Sequence, residues 1–328
     1  LSENIPSASE PEKGNWLTTI IEGGLPQFLA GPAGKAISRL IGAGVEIPAA
    51  YLEGISQGVR DKTQARSVLT RAIADQAKQQ VVSDPATMER AINSMLTRSY
   101  RAQVNKDSIA KVAIEDLYED QPNPSSVGPS EDWMNKFERY AEEAGSVDLQ
   151  LLFGKILAGE IRTPGSIGPS TLHLVSLLDG DTAALIDRIL PFTLPLGVTL
   201  LDAVSPELSI AEISFIEQSG FFSADKQYNP PLDEQGKNGE MLGNGDFLIL
   251  NGKANSKVYL GNAGVLSVAG KGLVQALQPK FNVEAFCSLA LKCQNVKAVL
   301  HGKGVKTAGG GFQIPEPTVV KNPDYKEA

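Results

Sequence analysis

Ser130-Glu-Asp-Trp133-Met134-Asn-Lys-Phe137-Glu-Arg-Tyr140-Ala-Glu-Glu-Ala-Gly145-Ser146 is the stretch whose reading decides the fold. Trp133, Met134, Phe137 and Tyr140 recur three and four residues apart, the spacing of one helix face. Ser130 stands three residues before Trp133, where a hydroxyl can accept from a free N–H of the first turn. Ser146 repeats the device ahead of Leu149, Leu152, Ile156 and Leu157, and Thr163-Pro164-Gly165 stops that helix. Ser170 is read as the cap of a third helix (Leu172, Leu174, Val175, Leu178) and Asp181 as the cap of a fourth (Ala184, Leu185, Ile189, Leu190). A helical core is therefore predicted over 131–205.

Upstream, the Pro/Ser-rich run 121–130 reads as a linker. Residues 15–120 read as a helical region. Within it, Asp84-Pro85 starts one helix, and Asn105 or Asp107 starts another. A longer helix is expected from about Pro48 to Val82. Residues 1–14 lack apolar periodicity and are expected to be disordered.

Downstream of about 205 the pattern changes. Ser209 to Ser219 reads as a short helix. Phe247–Leu250 and Lys257–Leu260 read as strands of a hairpin turned at Asn251–Ser256. Helices are expected at Ala269–Leu277 and Val283–Lys292, and strands at Val296–Leu300 and Gly311–Ile314. The Gly- and Asn-rich stretch 223–244 reads as a long surface loop, and the tail past Pro315 as loosely held. The fold class expected is mainly α, with a small α+β, winged-helix-like C-terminal domain over 206–328.

Composition narrows the function. The 328 residues carry a formal net charge of -8, two histidines and two cysteines. These numbers argue against bulk nucleic-acid coating, His-rich metal catalysis and a disulfide scaffold. No apolar run is long enough to span a membrane. The start, Leu1 followed by Ser2 and Glu3, is polar and acidic; it reads as trimmed, not as a signal peptide, and the cytosol is the expected compartment.

Gly31-Pro-Ala-Gly34-Lys35-Ala36 has glycines too close together for a phosphate loop, and no Ser or Thr follows Lys35. Cys287, Cys293 and His301 match no zinc spacing. Ser108-Ile-Ala-Lys111 lacks the partner motifs of acyl-enzymes. Asp179-Gly180-Asp181 reads as a turn and a cap, and His173 as a packed or interface histidine. No catalytic residue, metal or cofactor is expected.

Trp133–Gly145, Leu149–Arg162 and Thr163-Pro-Gly-Ser166 with Thr171-Leu-His-Leu174 together resemble a bacterial family catalogued as domain of unknown function 2806. Leu152 to Gly159, followed by a turn and a Leu-rich helix, is more weakly similar to the abortive-infection alpha proteins of phage defence. The resemblance brings no catalytic residues. It implies an interaction or assembly protein, in phage defence or encoded by a prophage. Ala158 and Gly159 are expected to let a neighbouring helix approach closely.

Charge layout adds two surfaces. Every arginine lies at or before Arg188, and from Phe247 to Pro315 eight lysines face one acid, Glu284. Lys253, Lys257, Lys271, Lys280, Lys292 and Lys297 form the candidate interaction surface. A protein partner or self-association is expected first, through acidic and basic faces; non-specific nucleic-acid contact is an alternative. The Gly/Ala-rich segment 16–50, with Trp16, Leu17, Ile20, Phe28, Lys35 and Arg39, is a candidate membrane or partner helix that would make the protein peripheral to a membrane.

Overall fold

The structure, a computed structural model, describes residues 29, 31–42, 85–122, 127–242, 245–306 and 312–325. Contacts divide the chain into two compact units, Leu1–Gly165 and Ser166–Ala328. The boundary follows the Pro164-Gly165 stop; the segment limits expected at 121–130 and 205 fall inside the units. Among the described residues, the first unit is helical, and the second mixes helices with antiparallel sheets. The chain is thus mainly α with an α+β C-terminal region.

In the first unit, α1 (Pro32–Ile41), α2 (Pro85–Glu119), α3 (Glu131–Glu143) and α4 (Val147–Arg162) enclose one apolar core. Ile37 and Leu40, Ile109 and Ile114, Phe137, Phe153 and Ile156 are all fully buried. Trp133 stacks on Phe137 at 4.9 Å, and Phe137 meets Phe153 edge-on at 5.8 Å. Ser130 and Ser146 accept from Trp133 N and Leu149 N as their spacing predicts.

One helix replaces the two expected around Asn105. The α2 helix runs unbroken for 35 residues, and Asn105 lies buried in its interior. Its side chain caps nothing on its own helix. Its Nδ2 donates to Glu142 O at 2.9 Å, and its Oδ1 accepts from Gln150 Nε2 at 3.2 Å. Close approach also occurs where the sequence does not flag it. Ala158 and Gly159 are buried, but it is Gly154 whose added Cβ would collide with Val112, 3.1 Å from Ile109 O.

In the second unit, α5 (Pro169–Ser176) and α6 (Gly180–Ile189) precede β1 (Thr193–Leu194) and β2 (Val198–Leu200). Each cap is two residues earlier than expected. Gly168 precedes Pro169, whose fixed φ suits the first helical position, so Ser170 is already inside α5. Asp179, not Asp181, accepts from Thr182 N at 2.7 Å. The Thr182 side-chain hydroxyl first, and this backbone bond after it, hold the Asp179 carboxyl below its ordinary range. Next come α7 (Ile210–Gln218), β3 (Phe222–Gln227), β4 (Lys237–Met241), β5 (Asp246–Gly252) and β6 (Asn262–Leu266). The order ends with α8 (Val268–Leu277), α9 (Val283–Ala290), β7 (Val296–Lys303), β8 (Val305–Lys306), β9 (Phe312–Gln313) and β10 (Thr318–Lys321).

One four-stranded sheet has the order β1-β2-β6-β3, the second four-stranded sheet β10-β7-β5-β4, and β8 pairs with β9 alone. Leu194 and Leu200 of the first share a core with Leu248, Leu250, Val296 and Val299 of the second, joined by Phe286 of α9.

Three expectations fail here for identifiable reasons. The hairpin through Asn251–Ser256 does not form, because both edges of β5 are already paired, with β4 and with β7. Residues 257–260 instead tuck inward: Val258 N and Leu260 N donate to Pro230 O and Tyr228 O, and both side chains are buried. The stretch 223–244 is not one loop, since it carries β3 and β4. Its Gly236 turns the chain at φ 72, where a Cβ would collide with Gly252 O. The tail past Pro315 is not loose: β10 pairs with β7 from Thr318↔His301 to Lys321↔Ala298. Buried Asn322 fastens its end by donating to Val296 O at 2.8 Å.

Candidate functional site

The six candidate lysines are all exposed, and they divide into two groups. Lys253 N donates to Asn295 O, and Asn295 Nδ2 donates to Lys257 O at 2.9 Å. Lys292 and Lys297 flank Asn295 in sequence. Four lysines therefore gather at the end of the second sheet where Gly252 pairs with Val296. Lys297 also lies over the Tyr325 ring at 5.9 Å. Lys271 and Lys280 belong elsewhere, at the other end of β5 and β7.

There, a cleft of about 760 Å³ is lined by β1, β6, α8, the 278–283 turn and the ends of β5 and β7. Lys271, Val274, Gln275 and Gln278 line it from α8. Their spacing of three, four and seven residues makes a single helix stripe. The Lys271 stem lies across Gly197. Gln278 ends the helix in the left-handed region, with φ 43 and its N–H bonded to Val274 O. That reversal carries Lys280 and Phe281 to the cleft wall. Asn282 N then donates to Pro191 O at 2.7 Å, and Phe281 packs beside Phe286 at 6.0 Å.

The floor is apolar: Leu242, Phe247 and Leu266 are buried, and Val283 is half-buried. The polar lining is Lys271, Lys280, Gln275, Gln278, His301, Asp246 and Thr193, whose hydroxyl is engaged by Ile189 O and Thr199. Asp246 already accepts from Lys303 Nζ at 3.0 Å. Among the described residues, no carboxylate pairs with Lys271 or Lys280. The cleft thus combines a dry floor with two uncompensated ammonium groups. Sequence reasoning found the two lysines and weighed His301 only as a zinc ligand, but missed Gln275, Gln278, Phe247 and Phe281. The stripe from Lys271 to Gln278 was the available signal.

A second feature is α7. Its N-terminus is held by a reciprocal cap: Ser209 Oγ accepts from Glu212 N, and Glu212 Oε2 accepts from Ser209 N at 2.7 Å. Arg188 Nη1 donates to Glu212 Oε1 at 2.8 Å. These contacts, the Ser209 bonds first, hold the Glu212 carboxyl down to about 2. Ile216 is buried beneath the helix, while Ile210 and Phe215 are 85% and 59% exposed.

Other candidates dissolve into packing. Gly34 begins no phosphate cradle, since a Cβ there would collide with Leu29 O. Ser108 Oγ donates to Val104 O, and Lys111 lies 4.0 Å from Glu115, so the two form no dyad. Cys287 and Cys293 are free thiols, both pushed up by burial; Cys293 Sγ donates to Tyr259 O. Among the described residues, no group of three or more His, Cys, Asp or Glu is placed to hold a metal ion. His173 is exposed, not packed.

Of the candidate membrane helix, Trp16, Leu17, Ile20 and Phe28 lie outside the described residues, as does the helix expected at 48–82. The described part, α1, directs its apolar face into the first unit, so that face is not available to lipid. Lys35 is exposed, and Arg39 Nε donates to Glu138 at 2.6 Å. No helix among the described residues is long and apolar enough to cross a membrane.

No curated protein and no solved structure matches the chain. Of the residues that line the cleft, Thr193 and Pro195 lie within the stretch that a family model matches, and the others lie past it. Residues 89–199, from within α2 to β2, match the family described as Protein of unknown function (DUF2806).

Proposed function

We propose that the chain is a non-enzymatic interaction protein that assembles with a second copy of itself. The carrying observation is α7, which is apolar on both sides. Such a helix suits an interior, yet Ile210 and Phe215 stand open to water. Charge favours a second copy as the cover. Exposed Glu207 precedes α7 and exposed Glu217 lies in its last turn, and the lysine end supplies four exposed cations. A setting in phage defence rests on the resemblance of residues 152–174 alone.

The test is mass in solution by light scattering, across concentration and salt. A multiple of the 34.8 kDa chain mass is expected. Phe215→Lys, and Lys253→Glu with Lys257→Glu, are each expected to return it to one chain. A single-chain mass at every concentration ends the reading.

The gathering of Lys253, Lys257, Lys292 and Lys297 supports a second reading, contact with nucleic-acid phosphates. Its mark is duplex binding that falls steeply with salt and with the same lysine-to-glutamate pair. Binding indifferent to both ends it.

A further inference from the structure

The cleft of the second unit has the form of a small-molecule site. Its volume of about 760 Å³ lies within the range of such pockets, and it pairs an apolar floor with a few polar groups. Each part of the lining restricts the ligand. Phe247, Leu266, Leu242 and Val283 offer no hydrogen bonds, so whatever rests on them gains by leaving water. Lys271 and Lys280 bring two positive charges that no described carboxylate offsets, and Asp246 is engaged by Lys303. A neutral apolar ligand would leave both ammonium groups unused at its edge, and a cation would meet repulsion. Gln275, Gln278 and His301 add hydrogen-bonding groups beside the lysines. Lysine serves as a point charge and makes no planar fork, which suits a phosphate or carboxylate head without fixed orientation.

We propose that this cleft binds a small amphiphilic anion, its apolar body on the Phe247–Leu266 floor and its carboxylate or phosphate head against Lys271 and Lys280. The site is separate from α7 and from the lysine end. It therefore stands whether or not the chain self-associates.

The experiment is calorimetric titration of the full chain with dodecyl phosphate kept below its micelle concentration. Three further probes accompany it: inorganic phosphate, dodecyltrimethylammonium and phosphatidylglycerol vesicles. Saturable one-to-one binding of dodecyl phosphate is expected, with affinity lower by about tenfold for inorganic phosphate and for the cationic amphiphile. Lys271→Gln with Lys280→Gln is expected to weaken dodecyl phosphate binding by about tenfold or more. Both side chains are exposed, and an unchanged thermal midpoint verifies the fold. Lys253→Gln with Lys257→Gln is expected to leave binding as it was. Equal affinity for the cationic amphiphile overturns the proposal. So does binding unmoved by the Lys271 and Lys280 changes, or binding confined to vesicles.

Discussion

Asn105 and Gln150 meet inside the first unit, Gln150 Nε2 donating to Asn105 Oδ1 at 3.2 Å while Asn105 Nδ2 donates to Glu142 O. One amide thereby joins α2 to the end of α3 and the start of α4. Asn105→Ala would leave Glu142 O without this donor in a part-buried place. A loss of about 1–3 kcal/mol is expected, read from urea unfolding. Asn105→Asp, which buries a carboxylate and sets one of its oxygens against Glu142 O, is expected to cost at least as much.

Gly154→Ala sets two effects against each other. Alanine favours the helix by about 1 kcal/mol. Its Cβ would also press on Val112, with Ile109 O 3.1 Å away. Overpacking of this kind costs about 1–3 kcal/mol, so net destabilisation is expected. A raised thermal midpoint for this variant would show that α2 and α4 can separate freely.

Arg162 closes the C-terminal turn of α2 from the end of α4. It donates to Asp120 O at 2.8 Å and Asp116 O at 2.6 Å, and its guanidinium pairs with both carboxylates. A cation at a helix C-terminus is favourable, and hydrogen bonds from a charged group are stronger than neutral ones. Arg162→Met is expected to cost about 2 kcal/mol, and Arg162→Lys to recover only part, because lysine has no fork. Hydrogen exchange should show the loss first at the last turn of α2.

Glu212 gives a pH dependence. Its carboxyl is held down to about 2 from an ordinary 4.5, with the Ser209 bonds first among the causes and Arg188 after them. The folded state therefore binds this proton less readily than the unfolded chain. Its contribution is complete above about pH 4.5 and fades as the pH falls towards 2. Glu212→Gln is expected to flatten that part of the stability curve while leaving its shape above pH 5 unchanged. Parallel curves for the two proteins below pH 4.5 would refute this.

Much of the helical architecture is legible in sequence because caps and stripes are local. Ser130, Ser146 and Ser209 each announce a helix through a hydroxyl and a turn of spacing. Asn105 misleads because a capping residue and a buried bridging residue are chemically the same; only the distant Glu142 and Gln150 distinguish them. Strands were harder. Val258 and Leu260 alternate as strand residues do, but the backbone they bond to is the 228–232 segment, distant in sequence from the β5 that the turn at 251–256 suggests. The Gly/Asn content of 223–244 suggests a loop, but Gly236 serves a tight turn between paired segments. For the candidate site, the lysines are visible in sequence, but their separation into two groups follows from the pairing of β5 with β7.

That pairing runs in regular register from Asp246↔Lys303 to Asn251↔Ala298 and, past one shift, ends at Gly252↔Val296. At about 3.3 Å per residue it holds the cleft and the Asn295 turn roughly 17 Å apart. The ladder works as a ruler with a socket at one tip and a cationic plug at the other. No residue that lines the one tip also belongs to the other, so a side chain exchanged at either tip makes no direct contact with its counterpart.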